Sequence, residues 1–364
     1  MMNIDFSDLK KLVEINSWTG NKQGVDLNRE LMMAFLSPLG FENEVYHREH
    51  IGSHILFKSQ HGENKPRVLL LGHLDTVFPP NTFESFSEDE EWIYGPGVCD
   101  MKGGNFVALS ALRRIFADNG SVNHIDILLV SDEETGSDDS KYLTQELAKN
   151  YDVCFDFEAA GREHEVVVAR KGVATFYIDL VGKAAHAGNH YVDGVNANLA
   201  AAKLLIALTE LTDLAQGTTV NVGKIEGGIG ANTISPTSHL AVEARFTSEE
   251  EKDRVLADIQ HLSHESWVAG IEIKMSGGLQ RGVMAANHQQ TKLLARLADV
   301  LGYALKTEHR GGVSDANVTA AAGLVTLDGF GPYGDGDHTV HERASKASFE
   351  RRIEEVYKIL LSYQ

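Results

Sequence analysis

Residues 68–77 read VLLLGHLDTV, four consecutive apolar residues running straight into His73 and Asp75. An unbroken apolar run of this length suits a strand buried on both faces, as in a parallel sheet covered by helices. Two further runs share the form. Ile125 to Val130 ends just before Glu133 and Glu134, and Val153 to Phe155 ends just before Glu158. In open α/β sheets the functional site forms beyond the carboxyl ends of the strands, so His73 and these acids are expected to converge.

Around these strands the first part of the chain carries helical patterns at Phe6 to Ile15, Leu27 to Leu39, Gly104 to Phe116 and Ser140 to Lys149. Alternating strand and helix argues for an α/β layer. From about Gly172 the rhythm changes. Ala174 to Val181, Thr218 to Ile225, Leu240 to Phe246 and Ile271 to Met275 read as strands, with helices at Ala197 to Leu211 and Glu249 to Trp267. That order is β-α-β-β-α-β, the ferredoxin-like unit. Helix and strand then resume at Gln289 to Leu301, Tyr303 to Thr307, Leu324 to Leu327 and Lys346 to Leu361. The expected fold is α/β, with a mostly parallel central sheet flanked by helices and an inserted α+β lid. The expected domains are 1–171 and 284–364 for the catalytic part and 172–283 for the insertion.

A chain of 364 residues with 43% hydrophobic content suffices for two cores, and its net charge of −19 argues against a nucleic-acid partner. Met1 to Trp18 carries Asp5, Asp8, Lys10, Lys11 and Glu14 and does not read as a signal peptide. No apolar run is long enough to span a membrane. Two cysteines, Cys99 and Cys154, cannot form a secreted disulfide framework. A cytoplasmic enzyme is expected, with both thiols buried; thiolate ligation of a metal is the lesser alternative, since no CxxC spacing exists.

The acids and histidines suit a two-metal site. His73 and Asp75 face the same way in an extended segment, so Asp75 either orients the imidazole or ligates. Adjacent Glu133 and Glu134 diverge, which lets one bind metal while the other moves protons. Asp100 lies in the Gly-rich loop 94–104 and His338 in another, 331–342. Imidazoles with carboxylates favour zinc over magnesium or calcium. Two Zn²⁺ per subunit are expected, with Co²⁺ or Mn²⁺ also compatible.

The motifs LGHLDTV (71–77), YGPGVCDMKGG (94–104), SDEETGS (131–137), FEAA (157–160), ARKG (169–172), GKAAHAG (182–188), GGVSDAN (311–317) and the His338/Glu342 segment follow one another along the chain. Together they resemble the dizinc metallopeptidases of the carboxypeptidase G2 and aminoacylase-1 type. The resemblance implies that His73 and Glu158 bind one zinc and Glu134 and His338 the other. It further implies that Asp100 bridges them ahead of a cis Asp100-Met101 peptide, that Glu133 is the general base and that Asp75 is the partner of His73. A second histidine, His341, stands three residues beyond His338, and His-x-x-x-Glu favours the first.

By the same resemblance, His186 in GKAAHAG reaches the active site of the other subunit of a homodimer formed through the insertion, where it steadies the oxyanion. Arg245, on the alternating strand Leu240 to Phe246, is suited to a two-pronged contact with a carboxylate. The family places the substrate's terminal carboxylate there, with Asn232, Lys171 and Ser314 nearby; Ser314 or Asp315 reads equally well as a helix N-cap. The expected reaction is hydrolysis of an amide beside a free carboxylate, by a glutamate-type carboxypeptidase or else an N-acyl amino acid deacylase or dipeptidase. The substrate would be a small peptide or an N-acyl amino acid, and closure of the insertion over it is expected. A non-catalytic zinc- or peptide-binding relative is the reading from another class.

Overall fold

The computed structural model describes residues 4–364. The chain forms two compact units. The first comprises Met1–Ala169, Ala286–Arg310 and Ser314–Gln364, and the second Arg170–Ala285 with Gly311–Val313.

The first unit is built on a six-stranded sheet in the order Glu42–Tyr46, His54–Lys58, Ile125–Val130, Val68–His73, Val153–Asp156 and Val325–Leu327. The last four are mutually parallel and the first two antiparallel. Alternation along the central strands feeds two cores. Val68, Leu70, Ile127, Leu129 and Phe155 join the helices Lys102–Asn119 and Lys346–Leu361 on one face. Leu69, Leu71, Leu128, Val130 and Cys154 meet Ala148 of the helix Ser140–Ala148 on the other. Burial on both faces is why these strands are apolar almost to their ends; the exception is Asp126, whose buried carboxylate is hydrogen-bonded by Ser59, His61 and Tyr151. Register places His73 opposite Val130 and Leu71 opposite Asp156, so two strands finish level and the third stops two residues short of them.

Gly103 and Gly104 begin the Lys102–Asn119 helix where it packs closest. A Cβ on Gly103 would lie 2.0 Å from the Val98 carbonyl oxygen, and one on Gly104 would lie 1.9 Å from that of Phe157. Two glycines in a helix interior are costly by about 1 kcal/mol each. Here they let the helix press against the loop before Asp100 and the strand end before Glu158.

The chain re-enters the first unit with a capping box. The Asn287 side chain accepts from the backbone N–H of Gln289 and Gln290, and the Gln290 side chain accepts from that of Asn287. The Gln290 amide then donates to the carbonyls of Val168 and Thr326. Asn287→Ala is expected to cost about 1 kcal/mol, read as a lower midpoint in urea unfolding.

The second unit is a four-stranded antiparallel sheet in the order Thr219–Gly227, Thr237–Phe246, Gly172–Val181, Glu272–Arg281. Helices Ala197–Thr209 and Glu249–Leu262 cover one face through Leu204, Leu208, Val255 and Ile259. This is the ferredoxin-like order. The opposite face carries the alternate residues, Glu243 and Arg245 among them. Among the described residues no helix is long and apolar enough to cross a membrane.

Candidate metal centre

The neighbouring strand ends bring their acids together in the first unit. His73 closes its strand, Glu133 and Glu134 lie in the short turn after Val130, and Glu158 follows Asp156 by two residues. Two loops complete the cluster with Asp100 and His338. The Asp100 carboxylate stands between the two imidazoles: its Oδ1 is 3.0 Å from His73 Nε2 and its Oδ2 is 3.2 Å from His338 Nε2. Each ring also has a glutamate of its own. Glu158 Oε1 lies 3.7 Å from His73 Nε2, and Glu134 Oε2 lies 3.2 Å from His338 Nε2.

Donor atoms of His73, Asp100 and Glu134 fall within 4.8 Å of one another, as do those of His73, Glu133 and Glu158. Imidazole nitrogens and carboxylate oxygens at such separations suit a pair of divalent transition ions. The donor set therefore fits two cations sharing Asp100. His341, three residues beyond His338, takes no part in these ion pairs. His338 itself has φ of 60°, a conformation few non-glycine residues adopt, and is 59% exposed. The Asp100-Met101 peptide is cis. Cys99 and Cys154 are buried free thiols that burial pushes well above their ordinary range, and neither belongs to these groups.

Charge in the cluster is finely opposed. Burial works against a charged His73, but hydrogen bonding to Asp100 and Asp75 outweighs it and holds the imidazole well above its usual range. Hydrogen bonds to Asp100 and Glu134 raise His338 to about 11. Burial, and then the Asp100 charge, push Glu134 and Glu158 well above the carboxylate range. For Asp100 itself burial is overcome by His338 and His73, which lower it.

Around these groups lies a layer of fixed contacts. His73 Nδ1 is 3.0 Å from the Asp75 carbonyl oxygen and 3.4 Å from Asp75 Oδ1. Asp75 Oδ2 accepts from the Thr19 hydroxyl at 2.7 Å and from the Glu134 N–H at 3.2 Å. Asp75 thus touches the elements carrying His73 and Glu134 together. Asn105 donates to the His73 carbonyl at 2.7 Å, and the Lys102 ammonium donates to the carbonyls of Leu12 and Ile15. Burial lowers Lys102 to about 7. The Glu342 carboxylate accepts from the backbone N–H groups of Gly97, Cys99 and Asp100. Motif reading did not assign roles to Thr19, Asn105 or Lys102, and it used Glu342 only as a spacing marker. Asp75→Ala is expected to weaken divalent-metal binding about 10–100-fold in competition with a chromophoric chelator; unchanged affinity would reject an orienting role for it.

The remaining predicted residues lie elsewhere. In the second unit, His186 Nδ1 accepts from the N–H groups of Gly188 and Asn189, both at 3.2 Å, which leaves Nε2 to carry the proton. The Ala187 N–H donates to the Asn232 carbonyl, so the two predicted loops adjoin. Lys171 donates to the Gly217 carbonyl. Arg245 grips Glu243 through Nε and Nη2 at 2.7 and 3.2 Å and donates from Nη1 to the Gly311 carbonyl at 2.7 Å. Ser314, in the first unit, is buried, and its hydroxyl donates to Asp328 Oδ2 at 2.9 Å with Asp156 Oδ2 at 3.3 Å. That same oxygen accepts from the Ala316 N–H at the start of a short helix whose N-cap is Asp315.

Comparison with known proteins follows the same outline. The family described as Peptidase family M20/M25/M40 matches residues 69–362. Carboxypeptidase G2 of Pseudomonas sp. (strain RS-16) is 29% identical over 345 residues, 91% of this chain and 82% of that protein. N-acetyl-L-citrulline deacetylase of Xanthomonas campestris pv. campestris is 27% identical over 316 residues, 81% of each chain. A crystal structure of a tripeptidase from Staphylococcus aureus superposes with a TM-score of 0.83 at 23% identity, covering 98% of this chain and 97% of that one.

Proposed function

The chain belongs to peptidase family M20/M25/M40 and is a metal-dependent hydrolase, and within that family we propose that it cleaves an amide bond beside a free carboxylate, as a glutamate-type carboxypeptidase. The observation that carries this reading is the Asp100 carboxylate held between two imidazoles, each with its own glutamate. His73 and Glu158 would hold one zinc ion and Glu134 and His338 the other, with Asp100 shared. When bound, the ions supply Lewis-acid activation of water and of the scissile carbonyl.

The chain's own residues would do the rest. Glu133 takes the proton of the attacking water and delivers it to the leaving nitrogen, so that one carboxylate and one amine are released. His186, with its proton on Nε2, would donate a hydrogen bond to the oxyanion developing in the active site of the other subunit of a homodimer. Arg245 holds the substrate carboxylate, with Asn232 and Lys171 alongside. We also propose a homodimer formed through the second unit, which leaves Leu199, Ile206, Ile225 and Ile229 exposed. Apolar side chains left in water are what an interface covers.

An N-acyl amino acid deacylase would use the same groups, and the likeness to an N-acetyl-L-citrulline deacetylase favours it as the second reading. Mass spectrometry of a panel of dipeptides, N-acyl glutamates and other N-acyl amino acids separates the two. Release of C-terminal glutamate from peptides supports the carboxypeptidase. Cleavage confined to N-acyl groups on other amino acids overturns it.

A further inference from the structure

We propose that Glu342 is a positioning residue of the metal centre, which fixes Asp100 between the two imidazoles without binding metal itself. Its side chain is 1% exposed. Oε1 accepts from the N–H groups of Cys99 and Asp100 at 2.9 and 3.0 Å, and Oε2 accepts from that of Gly97 at 3.0 Å. The Glu342 carbonyl takes the Gly95 N–H as well, at 3.3 Å. One residue therefore gathers four backbone donors of the loop that ends in Asp100.

The placement follows from the strands. Arg343–Ser345 pairs antiparallel with Trp92–Tyr94, Arg343 opposite Tyr94, which brings Glu342 level with Gly95. From there the Gly95–Asp100 loop wraps around the carboxylate, while His338 lies four residues before Glu342 in the opposite direction along the chain. The two loops that meet at the Asp100–His338 contact are thus tied at a second point, by a contact spanning 242 positions.

Both oxygens are occupied by backbone donors. Its effect on the site must pass through the backbone of Asp100. Without its carboxylate, buried N–H groups lose their acceptor. The loop would then seek other partners and carry the Asp100 side chain with it. Contacts that orient ligands in this way commonly govern metal affinity about 10–100-fold.

The inference rests on the cluster being a metal site, and the test separates the two. Full-length E342A and E342Q are compared with the parent for zinc affinity by chelator competition, for stoichiometry at saturation, and for the visible spectrum with Co²⁺. The expected result is unchanged stoichiometry, zinc binding weakened tenfold or more in E342A and less in E342Q, which retains one acceptor oxygen, and an altered cobalt spectrum in both. A contribution to stability alone would leave the cobalt spectrum of the folded variant unmoved. Affinity within threefold of the parent together with an unchanged spectrum overturns the proposal. Should E342A fail to fold by circular dichroism, E342Q is judged by the same criteria. A parent that binds neither zinc nor cobalt would instead overturn the metal reading.

Discussion

Glu133→Ala is expected to retain the parent's metal content while kcat falls about 10²–10⁴-fold, the range for loss of a positioned general base. The geometry behind this is the divergence of two adjacent glutamates. Asp75 anchors the Glu134 N–H, and Glu134 Oε2 lies 3.2 Å from His338 Nε2. Glu133, one residue earlier in the same 3-10 turn and 9% exposed, converges with His73 and Glu158, whereas Glu134 converges with His73 and Asp100. That proximity makes ligation the rival role, and metal analysis distinguishes the two. A ligand's removal lowers bound metal along with rate, whereas a base's removal lowers rate alone. Glu133→Gln keeps the shape without the basicity and should match the alanine variant in rate. Normal turnover in either variant would end the assignment, and loss of one ion per chain would make Glu133 a ligand.

Much of this architecture is legible in residue patterns where burial is symmetric. The Ile125–Val130 strand matches its run end to end, because a strand covered on both faces is apolar except where a buried group finds partners, as the Asp126 carboxylate does in Ser59, His61 and Tyr151. The strands Glu42–Tyr46, at the sheet edge, and His54–Lys58, next to it, went unread. The first is mostly polar and half exposed, and the second is too short to show a period. In the second unit the strand expected to end at Met275 runs on to Arg281. Ser276-Gly277-Gly278 carries no apolar alternation, yet it continues the strand, and Gly277 passes so close to its neighbour that a Cβ would lie 2.2 Å from the Thr175 carbonyl oxygen. Trp267, read as the end of a helix, lies beyond it and donates its indole N–H to the Leu262 carbonyl.

Site residues divide in the same way. His73, Glu133, Glu134 and Glu158 could be found because strand ends announce where side chains gather. Glu342 carries no comparable signal for its contact, since its partners are backbone N–H groups of a distant loop, and any residue type can offer those. The Glu243–Arg245 pair was open to reading, two residues apart on one strand face. The hold of the Gly311 carbonyl on the same guanidinium was not, because it depends on a loop 66 positions away.

Arg245→Ala is expected to lower kcat/KM for carboxylate-bearing substrates by roughly 30–150-fold, about 2–3 kcal/mol for loss of a charged hydrogen-bond partner. The proposed anchor is already held in place. Glu243 takes its Nε and Nη2 edge and the Gly311 carbonyl takes Nη1. Of five guanidinium N–H groups, two remain for a substrate. The side chain is 31% exposed, so the Glu243 pair itself should add under about 1 kcal/mol to stability. Thermal midpoints of Arg245→Ala and Glu243→Ala should accordingly stay near the parent's while kinetics change. Arg245→Lys should recover little, because an ammonium cannot offer the planar fork. Glu243→Ala then reports what the internal carboxylate does. A higher KM means that it pre-orients the guanidinium, and a lower KM means that it competes with substrate. The deciding comparison is a substrate carboxylate against its carboxamide. The parent should prefer the carboxylate and Arg245→Ala should lose that preference; if the variant still discriminates as the parent does, the carboxylate is bound elsewhere.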